Sequence, residues 1–302
     1  MNNQLVTIIG PTAIGKTGLA IKIAEFYKTE IVSADSRQFY RELNIGTAKP
    51  SSSELSKIKH HLINNKSIHE QYNINDFEKD AIESINSIFK KNKVAVLVGG
   101  SGLFINSVLY GLDEIPAIDE NIRNSLYSDM DSLGIKVLQE KLKLLDPNSY
   151  DNIDIDNPRR LIRALEVTIG SGKPYSSFLK KTKKNRDFNV ITIGLNQDRA
   201  ELYEKINTRV DNMIKGGLID EVKGLYELKN LKTLNTIGYS EVFKYIDEIY
   251  SKDECINEIK KNTRRYAKRQ LTWFKSIENV KWVSPNYDLK DVLNHIEHLI
   301  NN

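Results

Sequence analysis

The sequence predicts an α/β protein, a doubly wound parallel sheet of the P-loop kind that carries a helical insertion. Three observations predict it. An apolar, β-rich run, Gln4–Ile9, leads into Gly10-Pro-Thr-Ala-Ile-Gly15-Lys16-Thr17, a phosphate-loop pattern between a strand and a helix. Strand and helix periods then alternate through the first hundred residues, as parallel sheets require. From about residue 116 to residue 185 helical spacing runs on without a strand, and a strand pattern returns at Phe188–Leu195.

In chain order, a helical pattern covers Lys16 to Tyr27, and Glu30–Ala34 reads as a second strand ending at Asp35. Asn75–Lys91 has helical spacing in Phe77, Ala81, Ile82, Ile85, Ile88 and Phe89. Val94–Val98 is a continuous apolar run of the sort buried in parallel sheets. The insertion has three helical stretches, Glu120–Met130, Ile135–Leu145 and Pro158–Ile169. The third is capped by Asp156 or Asn157, opens on Pro158, and is followed by Gly170 and Gly172. A last short strand is expected near Val280–Ser284. The core thus comprises residues 1–115 and 186–302, and the insertion residues 116–185.

The chain has 302 residues, 40% hydrophobic and 28% charged, which suits a globular protein with a substantial core. A net charge of +4 permits a nucleic-acid partner without requiring one. Cys255 is the single cysteine, so an intramolecular disulfide and a thiolate zinc cluster are excluded. The N-terminus lacks a basic leader, and no segment approaches the roughly 20 apolar residues of a membrane span. A cytoplasmic, membrane-free protein is expected.

In the phosphate loop, glycines let backbone N–H groups curl around a phosphate at the positive end of a helix. Lys16 adds a point charge, and the Thr17 hydroxyl can ligate Mg²⁺. ATP-binding proteins share this pattern, but it specifies a polyphosphate and not ATP hydrolysis. Ordinary P-loop NTPases end a second apolar strand in an acid that holds the metal. Here Val94–Val98 ends in Gly99-Gly100-Ser101-Gly102, and the acid at a strand end is Asp35. Its carboxylate is expected to face the crevice beside the loop, as a metal-shell ligand or a base; a turn-capping role is the alternative.

Six ordered blocks carry a more specific signal: Gly10–Thr17, Asp35–Tyr40, Asn44-Ile-Gly-Thr-Ala-Lys-Pro50, Val98-Gly-Gly-Ser-Gly-Leu-Phe104, Asn157-Pro-Arg-Arg-Leu-Ile-Arg-Ala-Leu-Glu166 and Thr263-Arg-Arg-Tyr-Ala-Lys-Arg-Gln-Leu-Thr-Trp-Phe274. Together they resemble the blocks of bacterial tRNA dimethylallyltransferases, from the first strand to about Val283. At Ser101 most members have Thr, so the hydroxyl is kept. The chain lacks the cysteines of the zinc finger that eukaryotic members often add.

The resemblance implies transfer of a dimethylallyl group from dimethylallyl diphosphate to the N6 amine of the adenosine immediately 3′ of the tRNA anticodon. Gly10, Pro11, Thr12, Ala13, Ile14, Gly15, Lys16 and Thr17 would grip the diphosphate, with Mg²⁺ on Thr17. Arg209, in Ile206-Asn-Thr-Arg-Val210, would contact the diphosphate, and Asp35 would take the amine proton. Asp35, Ser36, Arg37, Gln38, Ser101 and Arg123 would touch tRNA, as would the stretch Arg159, Arg160, Leu161, Ile162 and Arg163. The partners implied are the anticodon stem-loop and dimethylallyl diphosphate, acting on a monomer.

Helical spacing places Lys261, Arg264, Arg265, Lys268 and Arg269 on one face, while Ile259, Ala267, Leu271 and Phe274 line another. Such a basic stripe suits phosphate contact, or is a solvated face. The run Lys180, Lys181, Lys183, Lys184 and Arg186 reads as a hydrated loop. His60, His61 and His69 lack the acids or cysteines of a metal set and read as packing residues. Tyr72, Trp273 and Trp282 read as core or interface aromatics.

Three other functions compete. A small-molecule P-loop kinase explains the loop and Asp35 but leaves the insertion and the basic faces without a role. An adenylate prenyltransferase shares the chemistry but takes a free nucleotide. A non-catalytic nucleotide switch or RNA-binding protein leaves Asp35 without a purpose.

Overall fold

The computed structural model describes residues 2–179 and 184–301, so Lys180, Lys181 and Lys183 of the basic run lie outside the described residues. The chain divides into two compact units, residues 1–109 with 185–302, and residues 110–184.

The first unit opens with β1 (Asn3–Ile9), α1 (Lys16–Tyr27), β2 (Ile31–Ser33), α2 (Ser52–Lys57), β3 (His60–His61), α3 (Ile74–Phe89), β4 (Val94–Val98) and α4 (Gly102–Tyr110). The second holds α5 (Glu120–Leu133), α6 (Ile135–Leu145), α7 (Pro147–Asn152) and α8 (Pro158–Ser171). The first then resumes with β5 (Phe188–Leu195), α9 (Arg199–Lys215), α10 (Leu218–Lys223), α11 (Tyr239–Ile246), α12 (Lys252–Phe274), β6 (Val280–Val283) and α13 (Leu289–Asn301).

The strands form one parallel sheet in the order β3-β2-β4-β1-β5-β6. Val6, Ile8, Val96, Val98, Ile191 and Ile193 are buried from it, and α1 covers them with Leu19, Ala20, Ile23 and Ala24. Each buried Val, Leu or Ile side chain among them contributes about 1.5–3 kcal/mol. The chain leaves β1 toward β2 on one side, and β5 lies on the other. The crevice at the carboxyl ends of β1 and β4 is therefore a topological switch point, where α/β sheets bind ligands.

A second core joins α9 to α12 around Tyr239, Phe39, Leu43, Val210, Leu218 and Phe243. It anchors the segment after β2 to the C-terminal helices. α12 is fixed at its start by a reciprocal cap between Ser251 and Glu254.

The second unit has its own core of Leu126, Leu138, Leu142, Leu161, Ile162 and Leu165. Asn157 caps α8 and Gly172 ends it in a left-handed turn, whereas Gly170 lies inside the helix. The short helix α7, absent from the sequence reading, is held by Asp146. That buried carboxylate accepts from the N–H and hydroxyl of both Ser149 and Ser176. Among the described residues no helix is long and apolar enough to cross a membrane.

Candidate active site

A cavity of about 340 Å³ opens at the switch point and is lined by the phosphate loop, Asp35, Gln38, Arg209 and Tyr266. The loop follows β1, and left-handed backbone at Ala13 and Gly15 turns it around the cavity. Gly15 immediately precedes α1, so Lys16 and Thr17 stand at the positive end of that helix. Lys16 Nζ donates to the Pro11 carbonyl at 2.7 Å, and Arg209 Nη1 reaches the Thr12 hydroxyl at 3.3 Å.

Asp35 sits where β2 ends. Its Oδ1 accepts from the N–H groups of Arg37 at 2.9 Å and Gln38 at 3.2 Å, so it caps a turn and faces the cavity at once. Burial lifts its pKa, against the pull of those two N–H groups and of the Lys16 and Arg37 charges. Burial also pushes the Lys16 ammonium down to about 7, with Arg209 adding to the effect and Asp35 opposing it. The Arg209 guanidinium is likewise lowered by burial and supported by Asp35. Two recessed cations therefore share the field of one carboxylate, an arrangement that favours binding a polyanion.

The glycines after β4 allow a close approach. A Cβ at Gly99 would strike the Ala34 carbonyl, and one at Gly100 would strike the Gln270 amide. Gln270 uses that approach to join two loops. Its carbonyl accepts from Thr12 N–H at 2.8 Å, and its amide donates to the Gly100 carbonyl at 2.7 Å. The Ser101 hydroxyl oxygen accepts from Ser36 N–H at 3.2 Å and also bonds Tyr266. Burial, then the Asp35 charge, pushes the Tyr266 phenol up to about 12. Gln38 donates to the carbonyls of Thr47 and Ala48, which turns its amide oxygen toward Ser33.

Sequence reasoning missed Tyr266, Gln270, Thr47, Lys49 and His60 in the cavity wall. The first two could have been found in the Thr263–Phe274 block, where a Gln interrupts the apolar stripe that Ala267 and Phe274 continue. His60, a packing residue by its sequence, forms the edge strand β3 with His61. His61 Nε2 lies 2.6 Å from Glu30, and His60 Nδ1 lies 2.8 Å from the Ile58 carbonyl. Among the described residues no three His, Cys, Asp or Glu side chains gather as a metal site.

The other expected contact residues divide between the two units. In the second, Arg123 and Arg163 both hydrogen-bond Glu166, whose side chain is only 1% exposed. Arg159 and Arg160 are exposed, whereas Leu161 and Ile162 are buried in that unit's core. Of this stretch, Arg159 and Arg160 are the exposed side chains. In the first unit, Arg265, Lys268 and Arg269 are exposed along α12, and Arg264 donates to Asn207 at 2.7 Å. Tyr72 is partly buried and packs edge-on against Phe39, and Trp282 lies against Gly194. Trp273 is 39% exposed.

Residues 38–277 match the model of a family described as IPP transferase. A tRNA dimethylallyltransferase of Christiangramia forsetii is 52% identical over all of both chains. One from Flavobacterium johnsoniae is 50% identical over 97% of this chain and 96% of its own. Among solved structures, the full-length tRNA isopentenylpyrophosphate transferase of Bacillus halodurans superimposes with a TM-score of 0.71 at 38% identity, covering 99% of this chain and 96% of that one. A eukaryotic dimethylallyltransferase captured acting on tRNA gives 0.80 at 25% identity, over 94% of this chain and 74% of that one. With a family match across most of its length and full-length relatives at half identity, the chain belongs to the IPP transferase family.

Proposed function

We propose that this protein transfers the dimethylallyl group of dimethylallyl diphosphate to the N6 amine of the adenosine immediately 3′ of a tRNA anticodon. Lys16, Arg209 and Asp35 line one cavity, with the two cations in the field of the carboxylate, and this carries the reading. It sets a diphosphate-binding end beside a carboxylate, as an allylic transfer to an amine needs. The names of the relatives point to tRNA and to a dimethylallyl group.

In the reaction, the N6 lone pair bonds to C1 of the allyl group as the bond from C1 to the diphosphate oxygen breaks. The N6 proton passes to Asp35, whose raised pKa makes it a better acceptor than an ordinary carboxylate. Negative charge accumulates on the departing diphosphate. The N–H groups from Thr12 to Thr17, together with Lys16 and Arg209, are placed to stabilise it. The donor set also fits Mg²⁺. Thr17 offers a hydroxyl, a hard oxygen ligand in the cavity wall, and the remaining positions fall to diphosphate and water. When bound, the ion would neutralise part of the leaving group's charge.

Ser36, Arg37, Gln38 and Ser101 surround Asp35 and are assigned to the acceptor nucleotide. Arg123, Arg159, Arg160 and Arg163 in one unit, and Arg264, Arg265 and Lys268 in the other, are assigned to the tRNA backbone. A loop adenosine reaches the cavity at lower cost than a paired one. The protein is read as acting as a monomer, and a tRNA acceptor sets the work in the cytoplasm.

The test is transfer of labelled dimethylallyl diphosphate, with Mg²⁺, to unmodified tRNA, AMP and ADP in parallel. Label on tRNA alone is expected. Label on a free nucleotide would make the protein an adenylate prenyltransferase, and no transfer to any of the three would reopen the kinase reading.

A further inference from the structure

Left-handed backbone outside the glycines gathers on one wall of the cavity. Ala48, at φ 49°, lines it, and Leu62 and Asn64, at φ 60° and 57°, bracket a second lining residue, Ile63. A leucine in that region is strained, and such residues persist where their surroundings hold them, as at ligand walls. Here the hold is visible. The Asn64 N–H donates to the Gln38 carbonyl at 3.2 Å, and Lys49 Nζ donates to the Asn64 side-chain oxygen and to the Tyr40 carbonyl. Leu62 is 8% exposed. The side chain this turn presents to the cavity is Ile63, beside Ala48 and Pro50.

The rest of the lining has other work. The phosphate loop, Lys16 and Arg209 make the diphosphate end, and Asp35, Gln38 and Tyr266 face the acceptor. Polar neighbours of Ile63 are already engaged. Lys49 is spent on the turn itself, Glu54 caps α2 through Ser51, and His60 bonds the Ile58 carbonyl. A branched hydrocarbon gains by contact with carbon and loses against charged or hydrogen-bonding groups. Ala48, Pro50 and Ile63 are the carbon surface this wall offers it, and Ile63 is the longest of the three.

We infer that these three residues form the resting wall of the donor's allylic group, and that Ile63 sets the chain length the site accepts. It admits a dimethylallyl group and excludes the longer geranyl group. The inference rests on the reading of dimethylallyl diphosphate as the donor.

Transfer to unmodified tRNA is measured with dimethylallyl and with geranyl diphosphate, and inorganic diphosphate is titrated as a competitor of the donor. Wild type is expected to favour the shorter donor strongly. In Ile63→Ala the ratio of kcat/KM for the geranyl over the dimethylallyl donor should rise roughly ten-fold or more, the scale of a methylene in an apolar pocket. Ile63→Trp, which fills the space, should raise KM for dimethylallyl diphosphate by roughly ten-fold. In both, the Ki of inorganic diphosphate and KM for tRNA should hold, which a loosened fold would not allow. Ile63→Val keeps the branched side chain and its packing, and should shift the donor ratio the same way by a smaller factor. An unchanged ratio in Ile63→Ala and Ile63→Val, or a wild type that uses both donors alike, would overturn the inference and leave the proposed function standing. A Ki that moves with KM would assign this wall to the diphosphate and overturn it too. Transfer from neither donor by the wild type would overturn the proposed function, and the inference with it.

Discussion

Gln270 and Thr12 are joined at 2.8 Å although 258 residues separate them, with the side-chain carbonyl of Gln270 accepting from the Thr12 backbone N–H. The other end of the same amide donates to Gly100. One side chain from α12 thus fixes the loops that follow β1 and β4, and both loops line the cavity. Gln270→Ala frees both. KM for dimethylallyl diphosphate is expected to rise roughly ten-fold, with about 1–2 kcal/mol lost in stability, since one buried and one part-buried bond go. Steady-state kinetics at saturating tRNA and a denaturant midpoint check the two numbers. An unchanged KM would mean that the loop holds its shape without Gln270.

Glu221 holds a third wall from farther away. Its carboxylate accepts from the N–H groups of Asn44, Ile45 and Gly46, and from the Tyr239 hydroxyl at 2.6 Å. The next residues, Thr47 to Pro50, line the cavity, and Gln38 is bonded to the carbonyls of Thr47 and Ala48. Glu221→Ala is expected to cost about 2 kcal/mol and to raise KM for the substrates without removing activity, because three N–H groups lose their acceptor. Tyr239→Phe, which removes one of the four bonds, should cost about 1 kcal/mol. Equal effects of the two on chemical unfolding would contradict this division.

The second unit should report on Glu166 through pH. Burial alone would raise that carboxylate, but hydrogen bonds and charge from Arg123 and Arg163 outweigh burial and hold it below its ordinary value. A carboxylate depressed by folding adds stability above its unfolded pKa, about 4.3, and loses it as pH falls through the folded value. Wild-type stability is therefore expected to decline below about pH 4.5. Glu166→Gln should flatten that part of the decline and lower stability at neutral pH by about 1–2 kcal/mol, an amount kept small by the exposure of both arginines. Urea midpoints from pH 3 to 7 measure both.

Local patterns made much of this legible in the sequence. β1, α1, β4 and β5 are long, strongly patterned runs, and the phosphate loop is a contiguous motif whose glycines and lysine have local causes. Asp35 was legible because a polar residue at a strand end has few other places to point. β3 escaped because two residues carry no period, and α7 because its one turn is held by Asp146 and not by an apolar stripe. Gln270 and Glu221 escaped for another reason. Their partners lie 258 and about 177 residues away, and such pairings exist only once the sheet has brought the chain together. Leu161 and Ile162 show the converse: the resemblance implies contact for the whole stretch, but helical geometry turns these two inward.

The most direct measurement compares single-turnover transfer and tRNA affinity in Asp35→Ala. Asp35 accepts the N6 proton in the proposed reaction, so transfer should fall by a hundred-fold or more, about 10²–10⁴ for a lost general base, while tRNA affinity changes little. An equal loss of rate and affinity, or a rate near wild type, would contradict the role given to this carboxylate.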